Sequence, residues 1–178
     1  MMSGERVTTK EQWFQKRRPE LKALFQHYMY GFMPPAPQKI ESTIDREDRH
    51  YFGGKATLQE VTIAFGPPEV PRIHLLLVLP NGRKSPAPVF VGMNFHGNHT
   101  LLSDPVVRLP TTWMPDRGPG VKDNRATDAG RGTQVDVWSI ETVIERGYAV
   151  ATFYCGDIDP DKPDFSDGVQ PHYLKPGQ

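Results

Sequence analysis

The chain has 178 residues, with 21 basic and 21 acidic side chains, 37% apolar residues and one cysteine. That length suits one domain with its own core, the charge balance argues against nucleic acid or an anionic membrane as partner, and the lone Cys155 excludes a disulfide framework or a cysteine-rich zinc site. No run approaches the roughly 20 apolar residues of a membrane span, the opening MMSGERVTTKEQW shows no apolar signal-peptide core, and the 18 prolines and 16 glycines gather in discrete loops rather than low-complexity tracts.

Thr8 and Glu11 have capping-box spacing, which predicts a short helix from about Thr9. Pro19 breaks or restarts it. Leu21, Leu24, Phe25, Tyr28 and Phe32 then keep helical spacing up to a stop at Gly31. At that spacing Trp13, Phe25, Tyr28, Tyr30 and Phe32 read as core rather than as a sugar-stacking platform. Pro34 to Pro37 is a stiff connector. Lys55–Phe65 reads as a strand ended by Gly66-Pro67-Pro68, and Arg72–Leu79 as a second strand whose apolar run suggests burial on both faces. Asn81-Gly82 is a turn. Pro88–Asn94 is a short apolar strand leading into Phe95-His96-Gly97-Asn98-His99-Thr100. The Pro/Gly-rich excursion from Ser103 to Gly132 is too long for a plain connector, so a functional or covering role is expected. Val135–Glu145 reads as a helix with Val137, Ile140, Val143 and Ile144 on its buried face. Gly147 ends it, Tyr148–Tyr154 is a strand, and the acidic stretch from Gly156 to Gln178 has no clear element of its own.

This order predicts an α/β fold within one partial domain, 1–178: helices over 1–36, first strands over 55–100, a long loop over 101–132, then helix, strand and acidic loop over 133–178. The strands flanking Asn81-Gly82 are expected to pair antiparallel, and the last strand to add in parallel across the helix.

Four stretches carry a family resemblance: RRPELKALFQHYMYGFMP (Arg17–Pro34), VGMNFHGNHT (Val91–Thr100), RGTQVDVW (Arg131–Trp138) and RGYAVATFYCGDIDPD (Arg146–Asp161). Together they resemble the N-terminal half of glucuronoyl esterase-like proteins, often labelled acetylxylan esterases. The resemblance implies an α/β-hydrolase, a three-layer αβα sandwich. It implies a serine carboxylic-ester hydrolase of plant cell-wall polysaccharide esters, with a carbohydrate ester as substrate, no cofactor, and a secreted or periplasmic location. The family's nucleophile lies in a Gly-Cys-Ser-Arg-x-Gly-type elbow, and no such motif and no Gly-x-Ser-x-Gly occurs here. Ser3, Ser42, Ser85, Ser103, Ser139 and Ser166 all lack the strand before and helix after that an elbow needs. The acid and histidine follow the serine in this fold. The expectation is therefore a chain truncated before the nucleophile strand, with no catalytic residue of its own and inactive alone. Its Tyr148–Tyr154 strand would then be an unpaired apolar edge open to self-association. Two other readings stand beside this: a complete, non-enzymatic interaction module derived from a hydrolase half, or another α/β-hydrolase, peptidase-like or dienelactone hydrolase-like.

His96, Gly97, Asn98 and His99 follow the third strand, where α/β-hydrolases often take one backbone N–H for the oxyanion hole. They form either that oxyanion loop or an ordered wall of the active site. A zinc site on His96 and His99 lacks an identifiable third ligand. Asp157, Asp159 and Asp161 have the spacing of a calcium loop. However, Lys162 and Gly168 stand where an EF-hand needs Gly and Glu, so these aspartates are expected to cap backbone amides. Cys155 reads as a small buried hydrophobe. Asn98-His99-Thr100 is a glycosylation sequon by pattern alone. Arg117, Lys122 and Arg125 either face an acidic sugar or are solvated.

Overall fold

The computed structural model describes residues 1–164 and 166–173, and divides into two units, Met1–Ala36 and Pro37–Gln178. In the first unit, α1 (Lys10–Gln12) opens on a capping box. The Thr9 hydroxyl accepts the Gln12 N–H at 3.2 Å, and the Gln12 side chain accepts the Thr9 N–H at 3.3 Å. The box is one residue later than Thr8 and Glu11 suggested. The helix runs on through a wide π segment (Trp13–Arg17), α2 (Arg18–Phe25) and a second π segment (Gln26–Tyr30). Pro19 has no N–H to give the preceding turn, and the widened turn before it accommodates the ring. Gly31, at φ 72°, ends the helix where only glycine is at ease.

The aromatics of this unit do not form the core expected of them. Trp13, Phe25, Tyr28, Tyr30 and Phe32 are 41 to 78% exposed. Each π segment inserts extra residues per turn and rotates the apolar stripe, so side chains aligned at a 3.6-residue period no longer share a face.

The second unit is built on a mixed five-stranded sheet, ordered β1 (Glu41–Tyr51), β2 (Ala56–Ala64), β3 (Ile73–Pro80), β7 (Ala149–Tyr154), β4 (Val89–Asn94). β1, β2 and β3 are antiparallel neighbours, β3 and β7 are antiparallel, and β7 and β4 are parallel. No strand was expected over Glu41–Tyr51, because its residues are polar on both faces and the strand lies exposed at the sheet edge. The expected hairpin across Asn81-Gly82 does not form. β7 inserts between β3 and β4, which run in opposite senses without touching. The expected parallel addition across the helix does occur, as the β4–β7 pair.

This insertion also moves the open edge. β7 is paired on both sides, and Ala149, Val150, Ala151 and Tyr154 are all buried. The apolar edge of the sheet is β4, not Tyr148–Tyr154. β3 alternates rather than being buried on both faces: Leu76 and Val78 are fully buried, while Leu75 and Leu77 are half-buried.

One core fills one face of the sheet. Ala56, Leu58, Leu76, Val78 and Val150 from the strands meet Leu101, Leu102 and Val107 from the excursion and Ile140 and Ile144 from the helix. That helix is two pieces, α3 (Val135–Trp138) and α4 (Ile140–Glu145), split at Ser139 with φ 45° and ψ 43°. The break turns Val137 outward, to 74% exposure, against the expectation that it is buried.

The excursion has structure of its own. A hairpin, β5 (Val121–Lys122) and β6 (Arg125–Ala126), turns through Asp123 and Asn124, both left-handed at φ 50° and 57°. This is the two-residue turn that matches strand twist. Arg131 clamps the loop by donating to the carbonyls of Asp104 at 3.1 Å and Val107 at 2.7 Å. Glu60, almost buried, accepts from Arg46 at 2.8 Å and from the Arg108 N–H at 2.7 Å, which ties the sheet to the loop. Among the described residues, no helix is long and apolar enough to cross a membrane.

Gly120 fixes the hairpin's seat. At φ +64° it has Gly130 N only 2.0 Å from where a Cβ would stand. Backbone cannot swing aside as a side chain can. Gly120→Ala is expected to lower unfolding free energy by about 2 kcal/mol or more; urea denaturation would show it.

Candidate active-site wall

Open α/β sheets present ligands at the carboxyl ends of parallel strands. Here those ends are Asn94 of β4 and Tyr154 of β7, which pair directly. Asn94 is 2% exposed and its side chain organises everything beyond it. Its Nδ2 donates to Asn98 Oδ1 at 2.7 Å and to Thr152 Oγ1 at 3.2 Å. Its Oδ1 accepts the Gly97 N–H at 2.7 Å. Asn98 Nδ2 reaches the His74 carbonyl on β3 at 2.8 Å. The Thr100 hydroxyl donates to the Gly97 carbonyl at 2.8 Å. The loop after β4 is thus held to β7 and β3 by buried, satisfied amides.

This geometry distributes the four residues singled out in the sequence. The Gly97 N–H is already given to Asn94 and is not free for an oxyanion. Asn98 is buried and bonded through its side chain, which rules its sequon out as a glycan acceptor in the folded chain. His99 is fully buried, with no hydrogen-bond partner for either ring nitrogen among the described residues. Its ring lies between two glycines: a Cβ on Gly97 would come within 2.8 Å of Nδ1, and one on Gly130 within 2.8 Å of Nε2. Burial, with the Arg131 charge adding to it, lowers the His99 pKa to about 4, so the ring is neutral. His96 alone is half-exposed and faces open space.

His96 and Phe95 stand between two depressions. One, of about 340 Å³, lies at the strand ends and is bordered by Met114, Pro115, Arg117, Tyr154, Cys155 and Asp161. The other, of about 590 Å³, runs beside β4 against Phe90, Met93, Val137 and Trp138. Of the three cations on the excursion, Arg117 borders the strand-end cleft, pairing with Asp161 at 3.6 Å. Arg125 instead bonds the Thr111 carbonyl at 2.5 Å. Cys155 is half-buried rather than buried, and burial pushes its thiol pKa up, away from nucleophilic use. The aspartates do not act together as caps. Asp157 accepts the His74 N–H at 2.8 Å, Asp161 pairs with Arg117, and Asp159 Oδ1 is buried without a partner among the described residues.

A second polar group lies behind the wall, unforeseen from the sequence. His74, Arg108, Asp45, Glu60 and Asp157 surround a cavity of about 20 Å³, room for one water molecule. Arg108 can only donate, so His74 Nδ1 accepts from it. Burial, then the nearby Arg108 charge, lowers the His74 pKa. Asp157 is 3% exposed, and burial raises its pKa to about 7. Asn94 and Asp157 had one faint signal in the sequence: each is a polar residue just at or beyond the end of an apolar strand.

No protein-family model matches the chain. Carbohydrate esterase MZ0003, from an unknown prokaryotic organism, is 42% identical over 100% of this chain and 41% of its own length. A promiscuous CE15 esterase from a marine bacterial metagenome superposes with TM-score 0.82 at 42% identity, over 100% of this chain and 45% of that one. This chain is a homologue of the glucuronoyl esterase-like proteins. A glucuronoyl esterase from Solibacter usitatus superposes with TM-score 0.87 at 37% identity, again over 100% of this chain and 45% of the other. The fold is accordingly the N-terminal half of an α/β-hydrolase, and the chain spans less than half the length of these esterase homologues.

Asp157 and His99, both buried, act in opposite directions with pH. Asp157 binds its proton more tightly folded than unfolded, so its contribution is full below about 3.8 and is lost as pH rises through about 7. Asp157→Asn keeps the acceptor for His74 but cannot ionise. It is expected to gain on the parent by roughly 1 kcal/mol per pH unit across that window, with no difference below it. His99 favours the neutral form, so its contribution is present above 6.5 and is lost as pH falls through about 4. Chemical denaturation from pH 3.5 to 8.5 checks both. Asn94→Ala, which leaves Asn98, Thr152 and Gly97 short of partners, is expected to cost about 3 kcal/mol in the same measurement.

Proposed function

We propose that this chain is part of a serine carboxylic-ester hydrolase acting on plant cell-wall polysaccharide esters, of glucuronoyl esterase type, and exported from the cytoplasm. In this reading it builds one wall of the active site and not the catalytic centre. The observation that carries it is whole-chain identity of 37 to 42% to esterases of which the chain matches only 41 to 45%. The wall is the strand-end cleft, with His96 and Phe95 as its exposed lip and Gly97, Asn98 and His99 as the rigid layer beneath.

The six serines support the assignment of the nucleophile elsewhere. Ser42 lies within β1, Ser139 between two helices, and Ser3, Ser85, Ser103 and Ser166 in turns or loops. None stands on a strand-to-helix elbow where a hydroxyl could be presented to a carbonyl. The acyl-enzyme chemistry of the family needs such a serine with a histidine and an acid behind it. The neutral, enclosed His99 is not placed to serve as that base.

Purified 178-residue chain is expected to show no turnover of an aryl acetate or of a glucuronic acid methyl ester above the buffer rate. Turnover abolished by a serine-directed inhibitor would overturn the reading.

A further inference from the structure

A further cavity of about 370 Å³ opens between the β1–β2 turn, the start of the excursion and the break between α3 and α4. That volume is in the range of small-molecule sites. Strand register puts the turn at the opposite end of the sheet from the strand-end cleft. Tyr51 pairs with Ala56, and Ala56 with Pro80. β3 runs antiparallel to β7, so Pro80 lies at the end away from Tyr154.

The lining is mixed. Leu101 and Ile140 give apolar surface, and Tyr51 and Phe52 bring two aromatic rings, 4.6 Å apart and tilted by 57°. Asp104, Asp136 and Glu141 bring carboxylates, and Ser103 and Ser139 hydroxyls. No Lys, Arg or His borders the cavity among the described residues. Two of these residues are held at a backbone cost, Phe52 at φ 51° and Ser139 at φ 45°. For a bulky side chain such a φ is an outlier, and strain of this kind gathers where ligands are clamped. Asp123 and Asn124 share the left-handed conformation, but their hairpin turn accounts for it.

Charge decides what can enter. Three carboxylates with no cation beside them at the wall reject an anion. Two of the three are already compensated from behind. Glu141 pairs with Lys55 at 3.1 Å, and Asp104 faces Arg46 at 3.8 Å while its Oδ1 accepts the Val106 N–H at 2.8 Å. Little surplus negative charge is left to hold a lone cation. What remains is a set of acceptors beside apolar surface. An ionised carboxylate can only accept, and a wholly apolar ligand would take these groups out of water without a partner. A neutral saccharide meets both demands. Its hydroxyls lie around its edge, and its C–H faces offer apolar surface to aromatic rings.

We propose that this cavity is an accessory saccharide subsite, where a neutral xylan main chain lays a sugar face on Tyr51 and Phe52 and gives hydroxyls to Asp104 and Asp136. The choice of xylan rests on the esterase reading, and the choice of a neutral saccharide rests on the cavity itself. At the far end of the sheet from the cleft, such a subsite acts by tethering. Holding the polymer raises the local concentration of its ester side chains without touching the bond that is cut.

The test titrates the purified chain with xylotetraose and follows backbone amide shifts. Saturable shifts are expected at Phe52, Ser103, Asp136 and Glu141, with dissociation in the millimolar range. Phe52→Gly removes the ring and leaves the left-handed backbone at ease, and it should weaken binding by about five-fold or more. Asp136→Ala, on an exposed position outside the core, should weaken it by about three-fold or more and serves if Phe52→Gly does not fold. No saturable shift up to about 20 mM, shifts confined to Phe95, His96 and Arg117 in the cleft, or binding indifferent to both substitutions would overturn the proposal. So would tetramethylammonium seated there in place of xylotetraose, which would give the cavity to a cation. Maltotetraose bound there while xylotetraose is not leaves a saccharide subsite standing and refutes the plant cell-wall reading.

Discussion

The side-chain amide of Asn94 is the constraint on which the wall depends. It ends an apolar strand with a group that must be satisfied, and it is 2% exposed. Its donors and acceptor are used on a neighbouring strand and on its own following loop. A buried amide left half-bonded costs more than it returns when paired, so the loop has one low-energy course. That course places Gly97 at φ +89° against His99, buries Asn98 and His99, and leaves His96 outside.

The same economy of polar groups holds the excursion onto the sheet. Glu60 is a charge on the core face of β2, tolerable there because Arg46 and the Arg108 amide complete its hydrogen bonds. Arg131 then fixes the carbonyls of Asp104 and Val107. Between these anchors Leu101, Leu102 and Val107 enter the core. The excursion therefore covers one face of the sheet as a helix would, and Met114, Pro115, Arg117 and Gly118, just before its hairpin, border the strand-end cleft. RGTQ at Arg131, first a family signature, turns out to be a clamp on this loop.

What the sequence made legible follows from where hydrophobic periodicity decides structure. β2, β3, β4 and β7 were readable because each buries or presents an apolar run, and Gly31 and Gly147 marked helix ends by their left-handed φ. β1 was invisible because an exposed edge strand has no apolar alternation to read. The neighbour of β3 was misjudged because Asn81-Gly82 looks like a hairpin turn, while pairing is decided by which strand can be buried on both faces. β7 takes that inner place and is buried along nearly its whole length, and β4 lies at the edge. Ser139 broke an apparently continuous helix, a left-handed serine being something no propensity foretells. At the site, the loop His96–His99 was found from its place after a strand. The Asn94 network and the Asp157–His74–Arg108 group were not, since the first reaches 58 residues along the chain to Thr152 and 24 from Asn98 to His74, and the partners of the second lie 34 and 83 residues apart.

Phe95 and His96 join two depressions of the molecule. They border the cleft at the strand ends and also the groove beside β4. The lip cannot yield, because the Asn94 network anchors the loop one residue before Phe95 and one residue after His96. The cleft is rigid on its β7 side and open on its β4 side. The shape of the cleft at the strand ends is thus inherited from the β4–β7 pairing and the Asn94 bonds rather than from the loop's own flexibility.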